Sequence, residues 1–314
     1  MSRISKPGQA GERQHPRVGV VGLGKMGRPI ARHVAAGGFR VAGFDLDADA
    51  AEAARADGVP VPGTLEELLA ECDLLLVAVD TEAAVRSVTQ AACAAWKSGR
   101  NADGAAGDPG GGRTLVVLAT ITVTAMRELA ALAAASGVAV LDGPLCKGEK
   151  AALDGELLVL VGGAPEDYAV CRGVFACFGK EVFHLGAVGA GQAAKLVNNL
   201  VLWASITATS EGFWLAEEFG VDLGLMREAL LESSGRTWAL ETWYRPRDMP
   251  WAAKDMSMVL EEADRVGLSL PMAGVVHEAI KTVKRLGLPG SRAGSGPDSG
   301  PGSGTGGGAG SGAS

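Results

Sequence analysis

Short apolar runs rich in β-branched residues alternate with helix-like segments through the first half of the chain, which restricts the possible folds more than any other feature. The runs are Arg17–Val21, Arg40–Phe44, Asp73–Val79, Thr114–Leu118 and Val138–Leu141. Strands separated by helices pair in parallel, and a parallel sheet is buried by helices on both faces. The alternation therefore predicts an α/β fold with a doubly wound parallel sheet.

The segments between and after these runs are predicted helices, and the pattern changes after Gly186. The predicted helices of the first part are Met26–Ala36, Ala48–Asp57, Leu65–Cys72, Glu82–Trp96, Val123–Ala135 and Pro165–Phe178, the last flanked by predicted strands Glu156–Val161 and Val182–Leu185. Beyond Gly186 we predict only helices, namely Gly191–Phe219, Leu223–Glu232, Trp251–Val266 and Met272–Leu286. The second domain is therefore expected to be all-helical.

Composition predicts disorder at both ends of the 314-residue chain. Residues 1–16 are polar, and residues 289–314 are mostly Gly, Ser, Ala and Pro, which cannot bury enough apolar surface to offset the entropy of ordering. A third Gly-rich stretch, Ser98–Arg113, is predicted to be a surface loop. We place one domain at 17–187 and the helical domain at 188–288.

The charge balance argues against several classes of partner. The formal net charge is -7 and no Lys/Arg cluster dominates, so neither nucleic acid nor an anionic membrane is expected as a partner. The longest apolar run, Leu74–Val79, is too short to span a bilayer, and the N-terminus lacks a signal-peptide core. Five cysteines without C-x-x-C spacing predict no metal site, no disulfide framework and a cytoplasmic location.

A glycine-rich turn follows the first predicted strand and opens the first predicted helix. It reads Gly22-Leu23-Gly24-Lys25-Met26-Gly27, which is G-x-G-x-x-G in the strand–turn–helix context that gives this motif meaning. Gly22 permits the tight turn, Gly24 lets a pyrophosphate approach the backbone, and Gly27 lets the helix pack on the strand. The helix N-terminus offers free N–H groups to the phosphates. The turn predicts a Rossmann-type dinucleotide-binding domain.

Asp45 ends the second predicted strand, eighteen residues after Gly27. A carboxylate there can accept hydrogen bonds from the adenosine ribose hydroxyls and would repel a 2′-phosphate. The alternative role for Asp45 is a turn or helix cap, which Asp47 could share. No Arg directly follows Asp45, so NAD is expected and NADP is less favoured.

Three motifs in the correct order resemble those of the β-hydroxyacid dehydrogenase family, typified by 3-hydroxyisobutyrate dehydrogenase. Val20–Pro29 is similar to the cofactor signature of that family, Gly189–Asn199 to its G-x-G-x-x-x-K-x-x-N-N active-site segment, and Lys254–Met256 to its K-D-L segment. The resemblance covers about residues 17–287. It implies the same two-domain fold and hydride transfer between NAD and a small β-hydroxy acid or related alcohol.

The resemblance implies that Lys195 is the catalytic residue, assisted by Asn199. The two residues are four apart on one predicted helix and therefore share a face. Oxidation of an alcohol also removes the hydroxyl proton, which a partly desolvated lysine near the nicotinamide can exchange. Asn199 could hold the substrate hydroxyl or carboxylate. The alternative is a surface lysine on an amphipathic helix, with the asparagines as helix-terminal hydrogen bonders.

The resemblance also implies roles for further positions, on weaker motif matches. Val79-Asp80 stands where the family has Leu-Pro beside the cofactor, and a backbone role could survive the change. Thr120 matches a threonine near the cofactor and substrate, and Lys254 matches a lysine at the cofactor end of the helical domain. A solvated or strand-end role is the alternative for each. The family's substrate-binding D-A-P-V-S-G-G is replaced by Asp142–Gly148, in which Cys146-Lys147 takes the place of Ser-Gly. We therefore predict a substrate region formed by Cys146, Lys147, Gly148 and Asn199 whose grip on the substrate has changed. Cys146 could be a nucleophile, but no histidine lies in a recognisable partner position, so Cys146 is expected to be a small residue of the pocket.

Other functions compatible with this fold remain open at this point. An oxidative decarboxylase of the 6-phosphogluconate type would have histidine at Asn198, and imine reductases usually lack the lysine. A non-catalytic NAD-binding scaffold is the alternative from a different class. We also expect a small, anionic substrate and a homodimer or higher homo-oligomer, because long interdomain helices in this family commonly pack across a two-fold axis.

Overall fold

The computed structural model describes residues 16–98, 112–243, 249–287 and 289. Most of the two predicted tails and of the Gly-rich stretch after Ser98 lie outside these residues. The strands, in chain order, are β1 Val18–Val21, β2 Val41–Phe44, β3 Leu74–Val77, β4 Thr114–Val117, β5 Ala139–Asp142, β6 Leu145–Cys146, β7 Leu157–Gly162 and β8 Gly179–Gly186.

These strands form one sheet in the order β2-β1-β3-β4-β5-β7-β6, with β8 paired to β7. The first five strands are parallel, and Val18 of β1 is in register with Val41 of β2 and Leu74 of β3. The predicted all-parallel sheet is corrected at one edge, where β7 runs antiparallel to β5 and β6. The chain continues from β5 into β6 and then returns along β7 after a short helix, residues 148–154, so β7 pairs with both preceding strands in one antiparallel register.

Helices cover both faces of the sheet. They are α1 Gly27–Ala36, α2 Ala48–Ala56, α3 Leu65–Glu71, α4 Glu82–Ser98, α5 Val123–Ala134, α6 Gly148–Asp154 and α7 Pro165–Phe178. Because successive side chains of a strand point to opposite faces, Leu74 and Leu76 pack with α1 and α7, whereas Leu75 and Val77 pack with α3, α4 and α5. The predicted doubly wound architecture is confirmed.

The remaining helices are α8 Ala190–Glu218, α9 Leu223–Leu231, α10 Trp238–Glu241, α11 Ala252–Arg265 and α12 Pro271–Leu286. In the part of this region that is described, no strand interrupts them, as the sequence predicts. The chain divides into two compact units between Val197 and Asn198, within α8. In the second unit, Phe213 packs edge-on against Trp243 with ring centroids 4.8 Å apart, and the indole of Trp203 donates to Asp255.

Three short elements were not predicted: β6, α6 and α10. β6 has two residues and α10 has four, too few to display a strand or helical period. The first two matter for function, because they carry the predicted substrate residues Cys146, Lys147 and Gly148. Of the described helices, none is long and apolar enough to cross a lipid bilayer.

Candidate functional site

The glycine turn lies at the carboxyl ends of β1, β2 and β3, where the strand order reverses direction around β1. Gly22 has φ +92°, and its amide donates to the carbonyl oxygen of Phe44. A Cβ on Gly22 would lie 2.5 Å from the Ala78 oxygen, and one on Gly27 would overlap the Gly22 oxygen. Both glycines are therefore required by the turn itself. The crevice at such a switch point is where open α/β sheets bind nucleotides.

The N-terminus of α1 is the open part of this turn. The residue preceding it, Met26, contributes no side-chain cap, whereas Asp47, Thr64 and Thr122 cap α2, α3 and α5. A Cβ on Gly24 would meet no protein atom within 4 Å. The first N–H groups of a helix have no intrahelical partner, so this end is fitted to receive a diphosphate. The residues of the turn thus fit the phosphates of the predicted dinucleotide.

Asp45 belongs to the same turn. Its Oδ2 accepts from the backbone N–H of Leu23 at 2.6 Å, and its Oδ1 accepts from the N–H of Asp47 at 2.9 Å. Leu23 itself is buried against Gly43 of β2. This contact sets the distance between the turn and the sheet. Asp47 takes the helix-capping role that was the alternative for Asp45. Asp45 is therefore held, half-buried, beside the glycine turn.

Three further residues predicted near the cofactor, Lys25, Val79 and Asp80, belong to segments at this edge of the sheet. Val79 follows β3 and packs partly into the core below α3 and α4, and Asp80 is exposed beside it. The Lys25 ammonium lies 3.5 Å from a carboxylate oxygen of Glu149 in the first turn of α6, with both side chains largely exposed. Such an exposed ion pair contributes little to stability. It leaves Lys25 available to an anion at the mouth of the turn.

Lys195 lies in the second turn of α8 and points toward β6. Its Nζ donates to the Leu145 carbonyl oxygen at 2.7 Å and lies 3.7 Å from the Cys146 sulfur. Lys195 is half-buried and Cys146 is buried. The predicted catalytic lysine and the predicted substrate strand are thus brought together. Nζ carries up to three protons, so donors remain for a substrate oxygen.

A buried carboxylate seats the N-terminus of α8. Asp142, the last residue of β5, is fully buried, and its two oxygens accept from the backbone N–H groups of Gly189 at 2.8 Å and Gln192 at 2.7 Å. Burial raises the pKa of this carboxyl group above its ordinary value, and the backbone donors oppose that shift. Sequence reasoning quoted Asp142 within a motif but gave it no role.

Gln192 connects the same helix to the segment that contains Thr120. Its Nε2 donates to the Ala119 oxygen at 2.8 Å, and its Oε1 accepts from the Ile121 N–H at 3.2 Å. Gln192 is fully buried, whereas Thr120 is half-buried between the two bonded residues. Gln192 was also missed from the sequence, although a glutamine on the first turn of an otherwise apolar helix start was a visible signal.

Lys147 has an unusual backbone conformation. With φ +81°, it is the non-glycine residue with positive φ in the described part of the chain. A long side chain in the left-handed region costs about 1 kcal/mol. Lys147 precedes α6, its side chain is exposed, and Gly148 follows with φ +75°. A glycine would adopt this conformation without strain, and nothing in the fold explains a lysine there.

Two predicted residues belong to the helical unit. Asn199 is 1% exposed; its Oδ1 accepts from Asn198, and its Nδ2 has no hydrogen-bond partner among the described residues. A buried amide donor without a partner is costly and is satisfied when a ligand supplies an acceptor. Lys254 is exposed at the start of α11, next to buried Asp255.

Comparison with known proteins covers both units. Residues 17–186 match the family described as the NAD binding domain of 6-phosphogluconate dehydrogenase, and residues 189–293 match the NAD-binding domain of NADP-dependent 3-hydroxyisobutyrate dehydrogenase. A probable 3-hydroxyisobutyrate dehydrogenase of Mycobacterium tuberculosis is 34% identical over 226 residues, 72% of each chain. The 3-hydroxyisobutyrate dehydrogenase of Pseudomonas aeruginosa is 31% identical, covering 83% of this chain and 89% of the relative. The solved M. tuberculosis enzyme with L-serine superposes with a TM-score of 0.75 at 28% identity, covering 86% of this chain and 94% of that one.

Proposed function

The chain belongs to the 3-hydroxyisobutyrate dehydrogenase family of NAD-dependent oxidoreductases that act on CH–OH groups, and we propose that Lys195 moves the hydroxyl proton of a small β-hydroxy acid. The observation that carries this proposal is the position of Lys195. Its ammonium is tied to the Leu145 oxygen beside Cys146, in the segment that replaces the family's substrate loop. NAD, when bound, accepts the hydride from the alcohol carbon.

The remaining steps belong to side chains of this chain. The hydrogen bond to Leu145 fixes Nζ of Lys195 in one place, so a proton can pass between it and the substrate oxygen without reorganisation of the side chain. Asn199 follows Lys195 by four residues in the sequence, and its Nδ2, which has no hydrogen-bond partner among the described residues, is proposed to donate to a substrate oxygen. Thr120 stands at the end of the segment after β4 and is proposed to contact the substrate or the nicotinamide.

Cofactor choice follows from Asp45. A carboxylate at this strand end accepts from the ribose hydroxyls of NAD and repels the 2′-phosphate of NADP. Neighbouring Asp47 and Asp49 are exposed and add to that repulsion. NAD is therefore the preferred cofactor. The residues also proposed to contact NAD are Lys25, Val79, Asp80 and Lys254.

Replacement of Lys195 tests the proposal. Lys195→Ala should lower kcat by about two to four orders of magnitude, the usual contribution of a positioned acid or base, while calorimetric NAD affinity stays the same. The matched control is Lys180→Ala, which removes an exposed lysine paired with Glu156. Activity of Lys195→Ala within threefold of the unchanged protein would refute the proton-transfer role. The substrate itself is found by following NADH absorbance across a panel of hydroxy acids.

Lys147 points to an anionic group on that substrate. Its strained backbone and exposed ammonium next to Cys146 fit a lysine retained for contact with a carboxylate or phosphate. A charge-assisted hydrogen bond is worth about 1.5–3 kcal/mol, so Lys147→Gln should raise KM roughly ten- to a hundredfold with little change in kcat. Lys150→Gln, three residues along α6, is the control. An unchanged KM would show that the Lys147 side chain is solvated and does not contact the substrate.

Two other activities are disfavoured by particular residues. Asn198 stands where an oxidative decarboxylase of the 6-phosphogluconate type would have histidine. Lys195 stands where imine reductases usually lack a lysine. A non-catalytic scaffold would have no use for the strain at Lys147 or for a lysine ammonium fixed beside the substrate segment. Failure of the whole substrate panel to reduce NAD would favour the scaffold.

We also propose self-association through the helical unit. Large apolar side chains are exposed on it, among them Val201, Leu215, Phe219, Leu225 and Met272. Exposed apolar surface of this extent is typical of an interface between protein chains. Light scattering would report the dimer or higher homo-oligomer. We propose a cytoplasmic location, with the five cysteines, all within the described residues, as thiols and not as disulfides.

A further inference from the structure

We propose that Gln192 is a positioning residue of the reaction, because it holds the Thr120 segment in a fixed place relative to Lys195. The inference rests on the proposed role of Lys195. It concerns a side chain that touches neither substrate nor cofactor and acts through the backbone on either side of Thr120.

The hydrogen bonds of Gln192 define one orientation of its amide. The Ala119 oxygen requires a donor and the Ile121 nitrogen requires an acceptor, so Nε2 faces the former and Oε1 the latter. Both bonded backbone groups belong to the turn that joins β4 to α5. Thr120 lies between them and cannot shift along the chain while both bonds hold. Gln192 thus fixes Thr120 from two sides.

The base of this arrangement is rigid. Asp142 accepts from two backbone N–H groups at the start of α8. A Cβ on Gly162 would lie 2.5 Å from Asp142 Oδ1, and one on Gly191 would overlap the Leu160 oxygen. The helix therefore rests directly on β7 and on the end of β5, with no space between them. A side chain on the first turn of α8 is therefore held in a fixed position.

Two turns of α8 consequently carry three connections to the site. Asp142 seats the helix, Gln192 holds the segment after β4, and Lys195 reaches the Leu145 oxygen of β6. These connections link segments far apart in sequence to one helix. Displacement of a reacting group by about 1 Å can cost on the order of a hundredfold in rate. Loss of the Gln192 bonds should have an effect of this kind.

The first test is Gln192→Leu, which keeps the side-chain volume and removes both bonds. We expect kcat to fall about ten- to a hundredfold while the calorimetric affinity for NAD changes less than threefold. Hydrogen–deuterium exchange of the protein without cofactor gives a readout independent of activity. Exchange should increase in the peptide that contains Ala119–Ile121 and stay unchanged in the peptide that contains Gly22–Gly27.

The second test is Gln192→Glu, which introduces a pH dependence that a merely space-filling role would not produce. An ionised carboxylate still accepts from Ile121 but repels the Ala119 oxygen, and a protonated one donates to it. Burial and the adjacent Asp142 carboxylate favour the neutral form, and Lys195 on the same helix opposes it. The neighbouring helices α4 and α5 also carry charged groups: Glu82, bonded to Thr122, Arg127, near Gly189, and the ion pair of Arg86 with Glu128. The ratio of variant to unchanged kcat should rise at least threefold from pH 8 to pH 6.

The outcomes separate this inference from the proposed function. If Lys195→Ala abolishes turnover but Gln192→Leu retains kcat within twofold with unchanged exchange, the positioning role is wrong and the proton-transfer role stands. If Lys195→Ala stays active, the proposed function fails, and the exchange experiment still reports whether Gln192 holds the segment. A flat activity ratio for Gln192→Glu, equal to that of the exposed control Gln90→Glu, would also overturn the inference.

Discussion

The two glycine turns of the first unit have nearly the same construction. Gly22 before α1 and Gly189 before α8 both have φ +92°. In each turn a second glycine, Gly27 or Gly191, is packed so closely that a Cβ would overlap a carbonyl oxygen. In each, an aspartate at the end of a strand accepts hydrogen bonds from the backbone of the turn: Asp45 at β2 and Asp142 at β5.

The difference lies in what occupies the helix N-terminus. Both oxygens of fully buried Asp142 are bonded at the start of α8, so that end is already occupied by a carboxyl group of the protein. The start of α1 has no side-chain cap, and Asp45 stays half-buried to one side of it. A G-x-G pattern therefore does not by itself identify a ligand site. The position of the neighbouring carboxylate decides whether the turn binds a phosphate or anchors a helix.

The largest effect expected from this comparison is on folding. Gly191→Ala would place a Cβ on the Leu160 oxygen and 2.8 Å from Asp142 Oδ2, two groups that are fixed in the core. Overpacking of this kind costs about 1–3 kcal/mol, and here the upper end or more is expected, because backbone has to move. Urea unfolding measures the loss. Stability within 0.5 kcal/mol of the unchanged protein would show that α8 is not seated as described.

The same substitution in the other turn should affect binding instead. A Cβ on Gly24 meets no protein atom within 4 Å, so Gly24→Ala should leave the free energy of unfolding nearly unchanged. The added methyl group occupies the surface that the diphosphate approaches, and NAD affinity should fall about tenfold or more, which is about 1.4 kcal/mol. Calorimetry measures the affinity. If Gly24→Ala and the unchanged protein bind NAD with equal affinity, the phosphates of NAD do not bind at this turn.

Asp45 and Asp142 should also differ in function, with Asp45 acting on cofactor choice. Asp45→Ala should reduce a preference for NAD over NADP of about tenfold, mainly by weakening NAD use. Its structural cost should be small, since Asp45 gives up hydrogen bonds at a partly exposed turn. The measurement is kcat/KM with each cofactor. Equal use of NAD and NADP by the unchanged protein would contradict the role of Asp45.

Sequence reasoning predicted the parts of this molecule that local patterns encode. The alternation of strands and helices, the long helix α8 and the turn at Gly22–Gly27 follow from period and glycine spacing. The antiparallel edge was not predicted, because β6 has two residues and its pairing with β7 depends on contacts distant in sequence. Asp142 and Gln192 were missed for the same reason. Their partners lie 47 to 73 residues away, and only the fold brings them together.

The smallest predicted effect concerns which protonation state of Asp142 is favoured at the start of α8. Burial raises the pKa of Asp142 from the ordinary 3.8, so the folded protein holds this proton more tightly than the unfolded chain. The associated stability is fully present below pH 3.8 and is lost as pH rises through the folded pKa. Asp142→Asn cannot titrate there, and the other groups cancel between the two proteins. The unfolding free energy of the unchanged protein minus that of Asp142→Asn should therefore be greatest near pH 4 and fall toward pH 8. A difference that grows with pH would mean that the backbone donors outweigh burial. The start of α8 would then favour the ionised form of Asp142.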